Sequence, residues 1–485
     1  MSVSRRRFLK TAAGSAALAV AAPMFAANVL GANDRISIAV VGINGRGSSH
    51  IDAFAGMKKQ NVQVTCLVDP DKSLFAHRSK QVLDRGGNQP KCVQDIREAL
   101  ANKDLDAISV ATCNHWHSLA TIWACKAGKD VYVEKPCSHN VFEGRKCVEA
   151  ARKYNRMVQH GTQSRSSGGW AKAVAAVHSG KYGKLLVSKA YASKVRWSIG
   201  FKDPKEPPKD LDFNLWLGPA PQQRYHQNIV HYNWHWFWDF GNGEIGNQGV
   251  HQMDIARWAM PEGSGPVSAI SMGGRYVDGP DFKDQGQTPN MQLAVIDFGG
   301  PLLVFEVRGL TAKKGPGGKT FPSQVDNEFY CEEGAIKDGK FFPKGKDKGE
   351  PLPNLKISIE PGDHFANFIK AMRSRKIEDL NADILEGHLS AQCCHLANIS
   401  YRLGEQVPFG KKYEALGDRP EIAASIKAIE ENLVGALGMD LSKAQYQLGP
   451  KLAYDPKAEK FVDNAKADAM LTRPYREPFV VPQEV

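Results

Sequence analysis

The sequence lacks the patterns that would assign it to several common protein classes. Its nine cysteines include no C-x-x-C pair, and so odd and dispersed a set is typical of buried thiols, with one opportunistic disulfide left open. No Lys/Arg cluster with interleaved aromatic residues occurs, which argues against a nucleic-acid partner. Two histidine pairs, His231/His235 and His115/His117, lack the H-E-x-x-H or cysteine framework of a zinc site. We therefore expect no bound metal.

The bulk composition is that of an ordinary globular protein. The chain has 485 residues, of which 42% are hydrophobic and 24% charged, and this length predicts about two domains. Its net charge of +11 falls to +7 without segment 1–32, which carries four basic and no acidic side chains.

The amino-terminal segment is organised like an export signal. Basic residues at 5–7 and 10 precede a mostly apolar run, 11–30, that ends in small residues. Glycine, serine and proline dilute this run, whereas a membrane-spanning helix needs roughly 20 clearly apolar residues. The stretch SRRRFLK at 4–10 resembles the twin-arginine pattern. We expect a cleaved twin-arginine signal over 1–32, recognised by the twin-arginine export machinery, and a periplasmic or otherwise exported protein without a stable membrane anchor. An uncleaved anchor is the alternative.

Beyond this segment, apolar runs alternate with helical stretches. The runs at 36–41 (ISIAVV), 62–68, 106–111 and 130–134 are short and rich in β-branched residues. Such alternation predicts βαβ units around a parallel sheet, in which ligands bind beyond the carboxyl ends of the strands. We predict an α/β fold with a Rossmann dinucleotide-binding domain over 33–160.

The loop GINGRG follows the first predicted strand. Gly42 permits a tight turn, while Gly45 and Gly47 let the backbone, with Arg46 between them, approach a pyrophosphate at the next helix N-terminus. Asn44 takes the place of the middle glycine of G-x-G-x-x-G, and asparagine tolerates a positive φ. Alone, the loop equally fits an ordinary glycine-rich turn. The strand before it and the helix after it favour a dinucleotide.

The second strand ends in LVDPD, which places Asp69 where a ribose would bind. A carboxylate accepts hydrogen bonds from ribose hydroxyls and repels a 2′-phosphate, so NAD is favoured over NADP. Capping of the helix predicted at 71–84 is the alternative role for Asp69.

Three motifs occur in order: the glycine loop, A-T-x-N-H-x-H at 111–117 and A-G-K-x-V-x-x-E-K-P at 127–136. Together they make residues 35–403 resemble the Gfo/Idh/MocA family, which is named for glucose–fructose oxidoreductase, inositol dehydrogenase and rhizopine catabolism. The resemblance implies an NAD(P)-dependent oxidoreductase whose Lys-Pro peptide is often cis and whose lysine, here Lys135, is catalytic. It implies cofactor contacts from Thr112, Asn114, His117, Glu134, Lys135, Pro136 and Gln163.

A lysine that is partly desolvated beside a positively charged nicotinamide has a lowered pKa, which suits Lys135 to proton transfer. For His115 a structural role and a cofactor contact are both open.

Residues 161–410 have the pattern of a second domain. Alternating runs such as 184–192, 292–299 and 302–309 predict an α+β domain with a large, mostly antiparallel open sheet. The resemblance implies that helices cover one face of this sheet and that the other face is free for homo-oligomer contacts.

Two later segments complete this prediction. The helix predicted at 383–402 should pack against the nucleotide domain, with His388 and His395 in the core or on the surface. Residues 411–485 lie outside the secure resemblance, and we expect a helical extension and an arm that covers a neighbouring surface.

The stretch 231–258, HYNWHWFWDFGNGEIGNQGVHQMDIARW, holds the candidate substrate site. Tyr232, Trp234, Trp236 and Trp238 offer the flat aromatic faces that sugar C–H groups prefer, although a core position is the alternative for each tryptophan. The resemblance adds Arg165, at the crossover into the second domain, as a substrate-binding residue.

The family pattern D-x-G-x-H-x-x-D is altered in this stretch. Asn247 stands at the first acidic position, while His251 and Asp254 match. An amide cannot accept a proton, so proton transfer falls to His251 and Lys135, and Asn247 orients His251 or binds a sugar hydroxyl. Asp254 lies three residues after His251 on one helix face and is expected to orient it. Capping of its own helix is the alternative role for His251.

Export restricts the chemistry, because free NAD is not expected outside the cytoplasm. We therefore expect NAD to be tightly held, acquired before transport and regenerated within each cycle on a small-molecule carbohydrate. The leading hypothesis is an oxidoreductase acting on a sugar or glycoside hydroxyl. A redox-neutral glycoside hydrolase or lyase that forms a transient keto-sugar is the first alternative. A catalytically silent glycan-binding protein, suggested by Asn44 and Asn247, is the second.

Overall fold

A computed structural model describes residues 34–277, 279 and 282–485 of the chain. The signal predicted over 1–32 lies outside these residues. Within them, no helix is both long enough and apolar enough to span a bilayer.

The first sheet has six parallel strands in the order β3-β2-β1-β4-β5-β6. The order reverses between β1 and β4, which opens a crevice at the carboxyl ends of these strands. This arrangement confirms the predicted Rossmann fold. The strands are β1 (Ile36–Val41), β2 (Val62–Val68), β3 (Lys91–Val93), β4 (Ala107–Val110), β5 (Asp130–Val133) and β6 (Val158–His160), and the helices are α1 (Gly45–Ala55), α2 (Phe75–Gly86), α3 (Ile96–Leu100), α4 (Asn114–Lys126) and α5 (Val141–Lys153).

The second sheet has twelve strands, and only β7 and β10 pair in parallel among its described neighbours, which confirms a mostly antiparallel sheet. Its strands are β7 (Leu185–Ser193), β8 (Ser268–Gly274), β9 (Met291–Asp297), β10 (Leu302–Arg308), β11 (Gln324–Cys331), β12 (Gly334–Lys337), β13 (Lys340–Pro343), β14 (Glu350–Pro351), β15 (Glu405–Pro408), β16 (Gln445–Leu448), β17 (Leu452–Asp455) and β18 (Lys460–Phe461). The remaining helices are α6 (Gly168–His178), α7 (Phe213–Leu217), α8 (Gly243–Gly246), α9 (Gly249–Trp258), α10 (His364–Ser374), α11 (Ile384–Arg402), α12 (Pro420–Leu437) and α13 (Ala465–Asp468).

Helices cover both faces of this sheet. Along β9, Ala294 and Ile296 pack with α9 and α11, whereas Leu293 and Val295 pack with apolar residues of α12. Because neighbouring strand residues point to opposite faces, α12 lies on the face that was expected to be free. The expectation of an open face is therefore wrong, and the chain itself supplies the cover. The homo-oligomer stays a prediction, but it can no longer be argued from an uncovered face at the centre of this sheet.

Helix α11 lies between the two domains and contacts α5 of the first and α9 of the second, as predicted. Its histidines are buried: His388 Nε2 is 2.7 Å from Glu459 Oε1, and His395 Nε2 is 3.2 Å from Ser138 Oγ. Burial lowers the pKa of both imidazoles, so they serve the core as neutral groups.

The cysteines are also core residues. All nine are free and seven are buried. Burial raises the pKa of Cys125 and Cys137 to about 12, so their thiols are neutral and unreactive. This agrees with the prediction of buried thiols.

The carboxyl-terminal arm packs on the first domain of its own chain. Phe479 and Val481 are each 1% exposed and complete the core between α3, α4 and the sheet. The Phe479 ring lies 5.4 Å from the ring of Trp116, and Arg476 donates to Gly218 O at 3.1 Å. The arm therefore braces α4, whose first turn borders the crevice.

We expect Phe479→Ala to destabilise the protein by about 3 to 5 kcal/mol, because it removes a fully buried ring and leaves a cavity. Urea unfolding followed by tryptophan fluorescence measures this change. Phe201, which is 50% exposed, provides the matched control Phe201→Ala, and its effect should be small. Equal unfolding midpoints for the two variants would show that the arm contributes no core packing.

Candidate active site

A cavity of about 430 Å³ occupies the crevice at the strand ends, a size common for ligand pockets. Its wall combines the first domain with the stretch 215–251 of the second. It brings together these predicted residues: Gly42, Asn44, Gly45, Arg46, Asp69, Thr112, Asn114, His117, Glu134, Lys135, Gln163, Tyr232, Trp234, Asn247 and His251. Six predicted residues lie outside the wall as described: Gly47, Pro136, Arg165, Trp236, Trp238 and Asp254.

The glycine loop runs along one side of the cavity. Gly42 has a φ of +80°, and a Cβ atom there would lie 2.7 Å from Thr112 N. A Cβ on Gly47 would lie 1.8 Å from Gly42 O, so this glycine allows the loop to pack on itself and does not face a ligand. Gly45 differs, because no atom lies within 4 Å of its Cβ position. Asn44 has a φ of −73°, so the loop does not use the tolerance of asparagine for a positive φ.

Asp69 lies at the end of β2 with its carboxylate fixed. Oδ2 accepts a hydrogen bond from Ile43 N and Oδ1 one from Asp71 N, each at 2.9 Å. Burial raises its pKa to about 6, so the carboxylate is mostly ionised at neutral pH and each oxygen keeps a lone pair for a further donor. The capping alternative is wrong, because Asp71 caps the turn that follows.

Glu134 holds the end of β5 to the glycine loop. Its Oε1 lies 2.8 Å from Arg46 Nε, 3.1 Å from His50 Nε2 and 3.1 Å from Gln163 Nε2. Although burial opposes ionisation, His50 and Arg46 keep the pKa of Glu134 well below its usual value. Glu134 therefore balances the charge of Arg46.

Lys135 extends from the same strand end into the cavity. The Lys135-Pro136 peptide is cis, as the resemblance implied. Nζ donates to Asn247 O at 2.9 Å and to Asn247 Oδ1 at 3.3 Å. Burial lowers the pKa of Lys135, which favours the neutral amine that can accept a proton. The ring nitrogens of His117 lie 2.6 Å from Pro136 O and 3.0 Å from Thr112 O, and the one N–H of the neutral ring donates to one of these carbonyls beneath the lysine.

His251 lies in the first turn of α9 and lines the cavity. Burial, followed by the charge of Lys135, lowers its pKa to about 3, so the imidazole is neutral at physiological pH. A neutral imidazole can donate one hydrogen bond and accept another, which suits it to hold a substrate hydroxyl.

Asp254 and Arg165 form an internal ion pair. Asp254 accepts from Arg165 Nε at 2.8 Å, from Arg165 Nη2 at 3.0 Å and from Ser390 Oγ at 2.7 Å, and both ionised residues are buried. The predicted role of Asp254 as the partner of His251 is therefore wrong, as is that of Arg165 as a substrate contact. Their pair fastens the crossover segment to α9 and α11.

The four aromatic residues separate into two groups. Tyr232, which is 56% exposed, and Trp234 line the cavity. Trp236 is buried, and the Cζ atom of Arg196 lies 5.0 Å from the centroid of its ring. The Cζ atom of Arg402 lies 5.0 Å from the ring centroid of Trp238. The prediction that Trp236 and Trp238 contact substrate is wrong, because both lie outside the cavity wall.

A segment of the second domain crosses the open edge of the cavity. We call residues 208–236 the strap. It pairs with the loop after β2 through Lys72 N to Asp210 O at 3.0 Å, Asp212 N to Pro70 O at 2.9 Å, and His231 Nε2 to Asp71 Oδ2 at 3.0 Å. His231 and His235 also line the cavity. Sequence reasoning noticed their spacing only as a possible metal site, and the described residues hold no group of three potential metal ligands.

Sequence reasoning also missed Glu244. This residue is 1% exposed in α8, accepts from Arg196 Nε at 2.5 Å and Nη2 at 3.0 Å, and accepts from Asn247 Nδ2 at 3.2 Å. Its signal in the sequence was a carboxylate one helical turn before Asn247.

The wall suits an elongated ligand that carries phosphates and ribose. Gly45 leaves room beside a helix N-terminus, where phosphates bind. The carboxylate of Asp69 can accept from hydroxyls, and Asn114 Oδ1 is buried without a hydrogen-bond partner. Fold and wall together define a dinucleotide-binding oxidoreductase fold with a second α/β domain.

Family comparison agrees with this class. Residues 36–162 match the Gfo/Idh/MocA oxidoreductase family model for the NAD-binding Rossmann fold, and residues 172–271 match the model for its C-terminal α/β domain. Over these two ranges the chain is similar to the oxidoreductases of the Gfo/Idh/MocA family.

Several known proteins are similar to this chain. A glycosyl hydrolase family 109 protein of Shewanella pealeana is 25% identical over 229 residues, which are 42% of this chain and 49% of the relative. An inositol 2-dehydrogenase of Salmonella paratyphi B is 28% identical over 149 residues, 30% of this chain and 43% of the relative. The chain thus spans less than half the length of these two relatives. The Bordetella pertussis WlbA dehydrogenase, solved with NADH and UDP-GlcNAcA, has a TM-score of 0.55 and 16% identity over 76% of this chain and 97% of that protein, a likeness of fold.

Proposed function

We propose that the protein is an NAD-dependent oxidoreductase that acts on a hydroxyl of a sugar or glycoside and keeps its NAD tightly bound through each cycle. The observation that carries the proposal is that Lys135 and His251 line the same cavity as the glycine loop and Asp69. The loop would hold the pyrophosphate, Asp69 a ribose, and Asn114 and Gln163 further polar groups of the dinucleotide. When bound, NAD supplies the oxidant for the carbon that bears the hydroxyl.

The residues of the chain supply the proton chemistry. Because burial lowers the pKa of Lys135, its neutral amine can take the hydroxyl proton as the carbon is oxidised. The neutral imidazole of His251 can hydrogen-bond the same or a neighbouring hydroxyl. Tyr232 and Trp234 offer aromatic faces to the sugar ring at the mouth of the cavity.

The strap supports the proposal of a retained cofactor, because it crosses the edge of the cavity through which NAD, with one ribose bound at Asp69, would dissociate. We expect His231→Ala to speed NAD dissociation by a factor between about 1.4 and 5, which is what a partly exposed contact of roughly 0.2–1 kcal/mol gives. Dialysis followed by NAD determination on denatured protein measures the loss. His77, an exposed histidine of α2, gives the matched control His77→Ala. Identical NAD loss from both variants would show that the His231–Asp71 contact does not retain the cofactor.

We also propose export through the twin-arginine route, supported by the SRRRFLK stretch at 4–10. Cell fractionation of wild type and of the Arg5→Lys/Arg6→Lys variant tests it. Export of both forms in equal amounts would count against the route.

Glycoside cleavage is the second candidate, and the similarity to the Shewanella family 109 protein favours it. Here oxidation of a ring hydroxyl to a ketone acidifies the neighbouring C–H, and elimination then expels the aglycone and leaves an enone. Water adds to this enone, and a proton returns to the carbon beside the ketone, which completes the hydrolysis. The ketone is reduced again at the end, so the reaction consumes no net oxidant. Lys135 and His251 are the groups available to move the proton of the oxidised hydroxyl and the proton of the acidified C–H.

Two measurements test the function. Denatured protein should release NAD, and an absence of dinucleotide would favour the glycan-binding alternative. A panel of p-nitrophenyl glycosides in deuterated buffer then separates the two chemistries. Release of the glycone with deuterium beside the oxidised carbon indicates elimination, whereas an oxidised sugar with the glycosidic bond intact indicates simple oxidation.

A further inference from the structure

A buried carboxylate lies one hydrogen-bonded residue away from the proposed catalytic lysine. Glu244 Oε2 accepts from Asn247 Nδ2 at 3.2 Å, and Asn247 Oδ1 and O accept from Lys135 Nζ at 3.3 and 2.9 Å. Arg196 grips the same carboxylate with two hydrogen bonds. The four residues therefore form one chain: Arg196, Glu244, Asn247, Lys135.

We infer that Glu244 is the positioning carboxylate of this site, and that it acts through Asn247 in place of the acidic residue that position 247 lacks. This inference rests on the proposed function, because it assigns a role toward the lysine of that reaction.

The hydrogen-bonding chemistry of an amide explains why Glu244 is needed. Asn247 has one donor end and one acceptor end, and only the acceptor end can face the ammonium of Lys135. Burial raises the pKa of Glu244, while the charge and hydrogen bonds of Arg196 favour its ionised form. An ionised carboxylate is an acceptor only, so Glu244 selects the orientation in which Nδ2 points to it and Oδ1 points to Lys135. A neutral amide at 244 could donate as well as accept, and this selection would be lost.

Glu244 also contributes charge. Burial lowers the pKa of Lys135, while Glu134 and Glu244 raise it and Arg46 and Arg196 lower it. The other titratable groups on which the charge of Lys135 acts are the neutral imidazoles of His117, His235 and His251 and the Cys394 thiol, whose pKa burial raises. Removing one of the two carboxylates therefore leaves the ammonium form of Lys135 less stabilised.

The test moves the carboxylate from one position to the other. Wild type, Glu244→Gln, and the double variant Glu244→Gln/Asn247→Asp are purified with their bound NAD, and the pKa of Lys135 is read from acetic anhydride labelling against pH by mass spectrometry. The expected labelling midpoint falls by about one pH unit in Glu244→Gln, since an opposite charge nearby is lost, and returns to within a few tenths in the double variant. Turnover of p-nitrophenyl glycosides should fall about tenfold or more in kcat and recover in the same way, because a displaced catalytic group loses alignment.

Glu306→Gln is the matched control. Glu306 is also buried and is also paired with an arginine, Arg308. It lies on β10, and its charge is not among those that shift the pKa of Lys135. Its midpoint should equal that of wild type.

The inference is overturned if folded Glu244→Gln keeps the wild-type midpoint, or if the double variant fails to restore it. Should Glu244→Gln not fold, the double variant carries the test alone, because it retains one carboxylate in the cluster. Labelling needs no sugar, so its result is independent of whether the protein oxidises one. If wild type turned over none of the glycosides while the labelling midpoints behaved as expected, the result would count against the proposed function and not against the role of Glu244.

Discussion

Replacing Lys135 by alanine is expected to lower turnover by roughly 10³-fold while the protein stays folded and keeps its NAD. The amine is the group that we propose takes the hydroxyl proton, and general base catalysis is commonly worth 10²- to 10⁴-fold. Initial rates on the best p-nitrophenyl glycoside, with bound NAD and the melting temperature measured on the same preparation, provide the test.

A second variant separates charge from proton transfer. Lys135→Arg keeps a cation, but a guanidinium does not deprotonate in proteins, so it should be as inactive as alanine. The rate of wild type should rise with pH and level off below the ordinary lysine pKa of 10.5, because burial lowers the pKa of Lys135 and the neutral amine is the active form. Activity in Lys135→Arg close to that of wild type would remove the lysine from proton transfer.

Replacing Gly45 by leucine is expected to eliminate bound NAD without destabilising the protein. Its Cβ position has no atom within 4 Å and its φ is not positive, so the fold tolerates a side chain. The new side chain would extend into the space proposed for the pyrophosphate. The NAD content of denatured protein, alongside the melting temperature, measures both parts of the expectation.

Gly300 offers the matched control, since it also has open space around its Cβ position but lies in the turn between β9 and β10. Gly300→Leu should keep its NAD. In contrast, Gly42→Ala should destabilise the loop itself, because its φ of +80° and the close approach to Thr112 N leave no room for a methyl group. A full NAD content in Gly45→Leu would place the dinucleotide elsewhere.

The first domain was largely predictable because its signals are local. Each strand is a short buried apolar run, and parallel strands bring their carboxyl ends to one edge whatever the rest of the chain does. Gly42, Asp69 and Lys135 could therefore be placed in one crevice from sequence alone, and the structure places them along one cavity wall.

The errors concern residues whose partners are distant in sequence. Arg165 meets Asp254 across 89 positions, and the spacing of Asp254 from His251 gave no sign of this competing partner. Trp236 looked like a sugar-stacking residue because the sequence does not reveal that Arg196 covers it. The position of α12 on the outer sheet face was equally hidden, since its apolar stripe shows that it packs but not on what.

The carboxyl-terminal arm has a consequence for the order of events in the cell. Phe479 and Val481 fill the core of the domain that contains the glycine loop, so this core is complete only after the arm has been synthesised. We therefore expect the first domain to reach its full stability only when residues 479–481 are available. Loading with a dinucleotide then becomes a post-translational step, and ribosome-bound chains stalled before position 479 should be unable to retain it.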